Sequence, residues 1–226
     1  YFPECEGINM DATVTSILHK SQEELEMLAR KKVKHLYLGI ESGLDDVLKF
    51  MKKDHDLAQA YQAIDRLHEA GLIYDAHIMT GVAGKGRGME NAEALAQFLN
   101  RTNPAHVVNF SMFLHKEVPL YQDIRQGTFV PADELETIRE EYHLIERIAP
   151  EKAGANILYD GFHDFIHVRV RGHLPGDKEK MLAKLNGIIQ EYEGKEPVYS
   201  FVQGECPDLE YCDDGKAVWD MDRKTS

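Results

Sequence analysis

The stretch LYLGIESG, at residues 36–43, indicates the fold class of this chain. Leu36, Leu38 and Ile40 fall on one face of a strand, and the run stops at the polar turn Glu-Ser-Gly. A second stretch of the same kind, AHIMTGVAG, occupies residues 76–84. Because a helical pattern follows each strand, we predict an α/β protein that places its chemistry at the carboxyl ends of its strands.

Further strands and helices alternate along the chain, which predicts parallel βαβ units with right-handed crossovers. Ser21 and Glu24 form the pattern of a capping box, and Gly71 stands where a left-handed residue would end a helix. We predict strands at about 8–15, 35–41, 73–80 and 106–114, with a strand-like run at 165–170. We predict helices at about 21–32, 44–53, 57–67, 89–99, 133–148 and 177–192.

Composition narrows the class of protein. With 226 residues, the chain is long enough for one sizeable domain with a hydrophobic core. Its net charge of -13 argues against nucleic acid or an anionic membrane as the main partner, and leaves room only for a local basic groove. No apolar run approaches the roughly 20 residues of a membrane helix. Three cysteines, Cys5, Cys206 and Cys212, are a poor disulfide framework, so we expect a reducing, cytoplasmic setting.

Two strand ends carry candidate ligand-binding residues. Glu41 and Ser42 offer a carboxylate and a hydroxyl to the hydroxyls or amino group of a ligand, although Ser42 would equally suit a helix cap. The loop at residues 81–88 holds four glycines and two bases, which suits either a backbone approach to an anion or a flexible connection. His77, on the preceding strand, is either a ligand contact or a satisfied structural histidine.

Histidines also raise the question of a metal site. His163, His167 and His173 are spaced as if to bind a metal, but a strand here would put only the first two on one face. A zinc site needs converging ligands, usually with cysteine or carboxylate companions. We therefore predict no metal ligands in this chain, while a histidine-based, metal-dependent barrel enzyme stays open as an alternative.

Taken together, these segments resemble the radical S-adenosylmethionine (SAM) superfamily over roughly residues 2–192. The order and spacing of the matching pieces make the resemblance specific. The last of them, together with His163, resembles the closing segment of an uncharacterised bacterial subgroup that is loosely labelled as related to oxygen-independent coproporphyrinogen oxidase. The pieces are residues 2–4, 21–25, 36–43, 45–53, 78–84, 109–121 and 171–180.

The resemblance implies a partial TIM-like (βα) barrel. It also implies radical chemistry, and we take both the fold and the chemistry as expectations. Residues 1–150 would form the back portion of the barrel, 151–195 a small α/β extension and 196–226 an acidic tail with eight acids and three bases. Such enzymes bind a [4Fe-4S] cluster through a Cys-x3-Cys-x2-Cys loop, cleave SAM to a 5'-deoxyadenosyl radical and abstract hydrogen from a substrate. That loop is absent from this chain, and Cys5 alone cannot replace it. We therefore expect a fragment or processed chain that is inactive by itself.

The resemblance also implies which residues of this sequence meet SAM, a small-molecule cofactor, and an unknown substrate. Glu41 and Ser42 would contact the ribose or methionine portion of SAM, and His77 and Gly81 would border the ribose and adenine. Ser111 and Phe113 would lie near the adenine. Three residues are expected on the substrate side: His115, Tyr121 and His163.

Another class of function stays open as an alternative. An open partial barrel exposes strand edges and interior side chains, so we expect self-association to cover them. The chain would then be a non-catalytic α/β binding or interaction module rather than part of an enzyme.

Overall fold

A computed structural model describes residues 4–201 and the backbone of two further strands. Six strands form one sheet in the order β1-β2-β3-β4-β5-β6, and β7 pairs with β8 separately. Strands β1 to β5 are parallel, which confirms the predicted α/β class, whereas β6 is antiparallel. The strands are β1 (Ile8–Ala12), β2 (Val33–Glu41), β3 (Ile73–Thr80), β4 (His106–Ser111), β5 (Ile157–His163), β6 (Val168–Leu174), β7 (Leu209–Tyr211) and β8 (Ala217–Trp219).

Eight α-helices accompany these strands in the described part of the chain. Their ends follow local sequence signals. Ser21 and Glu24 form the predicted capping box, and Gly71 takes the predicted left-handed conformation, with φ of 76°. The helices are α1 (Val14–Leu18), α2 (Gln22–Arg30), α3 (Asp45–Phe50), α4 (Leu57–Glu69), α5 (Gly88–Thr102), α6 (Leu120–Arg125), α7 (Glu134–Arg147) and α8 (Lys178–Tyr192). None of them is long and apolar enough to cross a membrane.

The main hydrophobic core lies between one face of the sheet and the helices. Leu38 and Ile40 of β2, fully buried, pack there with helix residues such as Leu67 and Leu144. Each buried side chain of this size stabilises the fold by about 1.5–3 kcal/mol. We call this face of the sheet the helix face.

The opposite face, which we call the open face, carries polar and aromatic side chains. Alternation along each strand puts Tyr37, His77, Phe110 and Phe162 on it, and all four are half-buried. Their rings form a row across the strands, with neighbouring centroids 5.1, 5.9 and 5.6 Å apart. The open face is therefore the side of the sheet where a ligand would meet aromatic groups.

Several sequence predictions need correction. The strand predicted at about 8–15 ends at Ala12, because Thr13 caps α1 and exchanges hydrogen bonds with Ser16. The run at 165–170 is broken by a short 3-10 helix, Asp164–Ile166. His167 then takes a left-handed conformation, so it does not share a strand face with His163. Strand β5 and helix α6 were not predicted.

The antiparallel direction of β6, which lies in the predicted α/β extension, departs from the pattern of parallel βαβ units. Only residues 164–167 connect β5 to β6. A parallel crossover needs a dozen or more residues, usually including a helix, so this short link permits only a hairpin.

The first residues of the predicted acidic tail pack against the rest of the chain. Tyr199 and Phe201 are buried with Leu114, and Phe201 forms a parallel bridge with Leu114. Apart from the backbone of β7 and β8, residues 202–226 lie outside the described residues, and so do Cys206 and Cys212. The three predicted segments, 1–150, 151–195 and 196–226, remain predictions.

Candidate functional site

The end of β2 holds a carboxylate in an unusual backbone conformation. Glu41 has a φ of 62°, in the left-handed region that non-glycine residues seldom adopt. Its side chain folds back over Gly39, where an added Cβ would lie 2.7 Å from Glu41 Oε1. Lys53 Nζ donates to the same oxygen at 3.1 Å. Glycine at position 39 thus leaves room for a partly exposed acid–base pair at the carboxyl edge of the sheet.

Ser42, next in the chain, points the other way. It is fully buried, and its Oγ donates to Asn91 Oδ1 at 2.6 Å. Ser42 Oγ also accepts a hydrogen bond from the backbone N–H of Leu44, 3.1 Å away. Ser42 therefore shapes the turn after β2, whereas the side chain of Glu41 is partly exposed.

The end of β3 is bound to the same network. Gly81 has a φ of 83°, and its N–H donates to Glu140 Oε2 at 2.8 Å. A side chain at position 81 would place its Cβ 2.8 Å from Thr137 Cγ2. Asn91 Nδ2 donates to Glu140 Oε1 at 2.7 Å, so Glu140 and Asn91 join the carboxyl ends of β2 and β3. Burial raises the pKa of Glu140 to about 8, against the opposing effect of these hydrogen bonds.

His77 lies on the open face, between the rings of Tyr37 and Phe110. Strand β4 contributes Phe110 to this face, whereas the next residue, Ser111, lies on the helix face. Ser111 Oγ donates to Glu134 Oε1 at 3.1 Å. The structure therefore brings Phe110 beside His77 and places Ser111 in the layer beneath.

His163 lies in that same buried layer and is fully enclosed. Its Nδ1 is 2.9 Å from Glu134 Oε2, and its Nε2 is 3.0 Å from Glu141 Oε2. Burial alone would lower the pKa of His163, but the two carboxylates outweigh burial and raise it to about 10. His163 is thus a buried imidazolium that joins β5 to α7, on the opposite face of the sheet from His77.

The remaining predicted residues follow β4. Phe113 is 55% exposed, and His115 is half-buried with Nδ1 accepting from Glu117 N–H. Tyr121 packs at the margin of the small cluster around Leu114. The structure thus brings Glu41, His77 and Gly81 to strand ends and places Ser42, Ser111 and His163 in the supporting layer.

Two cavities open near these strand ends. The smaller, of about 170 Å³, is lined on the open face by Tyr37, Gly39 and His77, together with Lys53. The larger, of about 350 Å³, lies beside Val82 and the ring of Phe129. Sequence reasoning did not select Tyr37, Lys53 or Phe110 as site residues. The two-residue strand period was the available signal for Tyr37 and Phe110, because it puts them on the face of Gly39 and His77.

The described residues do not fit an iron–sulfur cluster or a histidine-based metal site. Within the described parts of the chain, no three side chains of His, Cys, Asp or Glu converge as ligands. Cys5, the one cysteine among residues 4–201, is half-buried and its thiol donates to Gly7 O at 3.3 Å. The side chains near Glu41 do fit a ligand such as SAM, since they combine a carboxylate, an ammonium group and aromatic rings.

Comparisons with known proteins bear on the first half of the chain and on its fold. Residues 4–99 match the sequence model of the radical SAM superfamily. The tRNA uridine(34) acetyltransferase of Methanocaldococcus infernus is 25% identical over 119 residues, which are 52% of this chain and 22% of that protein. The solved structure of the archaeal Methanocaldococcus infernus Elp3 with an N-terminal deletion has a TM-score of 0.61 at 17% identity, over 83% of this chain and 42% of that one. The chain therefore spans less than half the length of each, and the second likeness establishes a shared partial-barrel fold.

Proposed function

We propose that this chain forms the SAM-binding part of a radical SAM enzyme, because its residues 4–99 match the sequence model of the radical SAM superfamily. Members of this superfamily use SAM with a [4Fe-4S] cluster to generate a radical that abstracts hydrogen from a substrate. The described residues hold no ligand set for the cluster, so the proposal assigns this chain the binding of SAM and not the cluster.

The observation that carries the proposal is the Glu41–Lys53 pair at the carboxyl edge of β2. Holding a glutamate at a φ of 62° costs free energy, of the order of 1–3 kcal/mol for such conformations, and strain of this kind concentrates at ligand sites. The methionine portion of SAM is a zwitterion beside a ribose with two hydroxyls. We propose that the Glu41 carboxylate accepts hydrogen bonds from the ribose hydroxyls or the amino group, and that Lys53 faces the ligand carboxylate.

The neighbouring strands complete the proposed site. His77 would border the ribose, and Phe110 would offer its ring to the adenine in the role expected of the next strand. Gly81 would allow a close approach of backbone to ligand at the end of β3. Ser42, Asn91 and Glu140 would act as positioning residues, because their hydrogen bonds fix the ends of β2 and β3 relative to each other.

The test is a SAM titration followed by calorimetry, with Glu41→Gln as the variant. Glu26→Gln, on the exposed side of α2, is the matched control because it makes the same chemical change away from the strand ends. We expect Glu41→Gln to weaken SAM binding at least tenfold and Glu26→Gln to leave it unchanged. Equal affinities in all three proteins, or no SAM binding at all, would favour the non-catalytic binding module.

Activity is tested in the complete protein. After anaerobic reconstitution of the cluster, SAM and dithionite should yield 5'-deoxyadenosine, and Glu41→Ala and Ser42→Ala should lower the yield. A complete protein that assembles no cluster and makes no 5'-deoxyadenosine would refute the enzyme assignment.

A substrate class is suggested by the curated relative, whose name describes an enzyme acting on a uridine of tRNA. We propose RNA as the substrate of the complete protein. An RNA substrate differs from the expectation that a net charge of -13 argues against nucleic acid as the main partner. Binding RNA would therefore require a local basic surface. Self-association through the open barrel and a cytoplasmic location stay predictions.

A further inference from the structure

A cluster of positive charge lies at the edge of the sheet, between β6 and α8. A cavity of about 430 Å³ there is lined by Arg169 and Arg171 of β6 and by Lys180 and Lys184 of α8. Its other described lining residues are Val170 and Met181, so none of those residues is acidic. In a chain with a net charge of -13, four cations around one cavity mark a surface for an anion. We call it the edge groove.

Arg169 is fixed in place before any ligand arrives. Its Nε and Nη2 donate to the two carboxylate oxygens of Asp160, at 2.7 and 2.5 Å. Its guanidinium carbon lies 4.7 Å from the centre of the Phe162 ring. The side chain is nevertheless 51% exposed. A guanidinium held in this way loses little conformational entropy when its outer face and remaining N–H groups meet a phosphate or a base.

The other three cations of the edge groove are also held at its surface. Arg171 is 55% exposed, and its Nε is 3.6 Å from Asp160 Oδ2, beyond hydrogen-bond distance. Lys184 Nζ donates to the carbonyl oxygen of Arg169 at 2.6 Å, which holds α8 against β6. Lys180 is exposed one helical turn before Lys184.

The spacing of these charges favours a chain of phosphates over a single anion. Side chains two apart on one face of a strand are separated by about 6–7 Å, and those four apart on a helix by about 6 Å. Both values are comparable with the distance between neighbouring phosphates of an extended nucleic-acid strand. We propose that the edge groove binds the phosphate backbone of single-stranded RNA. The choice of RNA as the anion rests on the proposed function.

The position of the edge groove relates it to the open face. Arg169 pairs with Phe162 across β5 and β6, and Phe162 is stacked on Phe110 at an interplanar angle of 17°. An RNA strand in the edge groove would therefore pass the end of the aromatic row that leads to His77. This arrangement would let one nucleotide reach the carboxyl edge while its neighbours stay on the cations.

The test measures binding of a short fluorescein-labelled single-stranded oligoribonucleotide to the 226-residue chain by anisotropy, across a range of salt. Each lysine–phosphate contact with a single strand adds about 0.7 to the slope of log K against log salt, which is about a factor of five in affinity near 0.1 M salt. Lys180→Glu with Lys184→Glu should therefore reduce the slope by about 1.4 and the affinity about 25-fold. Lys180→Arg with Lys184→Arg should restore both.

The control is Lys31→Glu with Lys34→Glu, which makes the same change in net charge at exposed positions, one at the C-cap of α2 and one on β2. The proposal is overturned if this pair weakens RNA binding as much as the edge-groove pair, or if the wild-type chain binds no RNA. It is also overturned if the chain binds anionic lipid vesicles and not RNA. A third refuting result is an edge-groove variant that self-associates without any loss of RNA affinity, since the cations would then serve to protect a sheet edge from pairing. A parallel SAM titration of the same variants separates these outcomes from a failure of the proposed function, because the edge-groove substitutions should leave SAM affinity unchanged.

Discussion

Replacing His163 with Gln should destabilise the chain by about 3–5 kcal/mol, the usual cost of removing one partner from a buried ion pair. The structure gives the reason. His163 is fully buried with a carboxylate oxygen at 2.9–3.0 Å from each ring nitrogen. Gln carries no positive charge, so this substitution leaves Glu134 and Glu141 buried near each other without a cation. Urea unfolding at pH 7, followed by circular dichroism, measures the change in the free energy of unfolding.

The same variant tests the protonation state of His163. The pKa of His163 is raised to about 10 in the folded chain, against about 6.5 when unfolded. The contribution of the charged His163 to the free energy of unfolding is therefore fully present below pH 6.5 and is lost as pH rises through about 10. The difference in stability between wild type and His163→Gln should shrink between pH 7 and pH 9.

His173→Gln provides the matched control, because His173 is exposed on β6 and its loss should change stability by less than about 0.5 kcal/mol. A cost below about 1 kcal/mol for His163→Gln at pH 7 would refute the argument for a buried imidazolium. A difference that does not change between pH 7 and pH 9 would refute its protonation.

Two further substitutions, Gly81→Ala and Glu140→Gln, test the buried layer beneath the strand ends, and Gly187→Ala on α8 is the control for the first of them. Gly81→Ala should destabilise the chain by at least about 1–3 kcal/mol in urea unfolding, because alanine is strained at φ of 83° and its Cβ would lie 2.8 Å from Thr137 Cγ2. Gly187→Ala, in open space within α8, should instead stabilise it by about 0.5–1 kcal/mol. The pKa of Glu140 is raised to about 8 in the folded chain, so the contribution of Glu140 to stability should fall as pH rises from about 4.5 to 8, because the unfolded state releases the proton first. The stability advantage of wild type over Glu140→Gln should therefore narrow between pH 5 and pH 8, and an advantage that stays constant would contradict the raised pKa.

Local signals in the sequence predicted much of the fold. The capping box at Ser21, the left-handed Gly71 and the alternation of β2 and β3 each depend on residues close in the chain, and the structure bears them out. The antiparallel direction of β6 was missed because it depends on the short connection from β5, residues 164–167. The sequence predicted no β5 and placed the next strand at 165–170, so the length of this connection was not known. Strand β5 was missed because its residues, ILYDGFH, mix apolar and polar types without clear alternation.

The candidate site was predicted only in part. Glu41 and His77 were selected because polar residues at or near strand ends are readable from the sequence. The surroundings of these two residues could not be read from the sequence. Lys53 reaches Glu41 from beyond a helix and a turn, and Phe110 meets His77 from the neighbouring strand. His163 was assigned to the substrate side, yet the structure encloses it between two glutamates of α7, which lie 22 and 29 residues away in the chain.

Short-range patterns and the order of motifs were enough to predict the α/β class, the strand ends that carry polar residues and the resemblance to radical SAM proteins. The face of the sheet that each residue occupies, and the charges that become partners, depend instead on how the strands and helices pack. A one-residue step along a strand reverses the face, so Phe110 reaches the open face while Ser111 joins the buried layer. The edge groove likewise depends on β6 returning antiparallel beside α8, which brings together cations that are 9 to 15 residues apart in sequence.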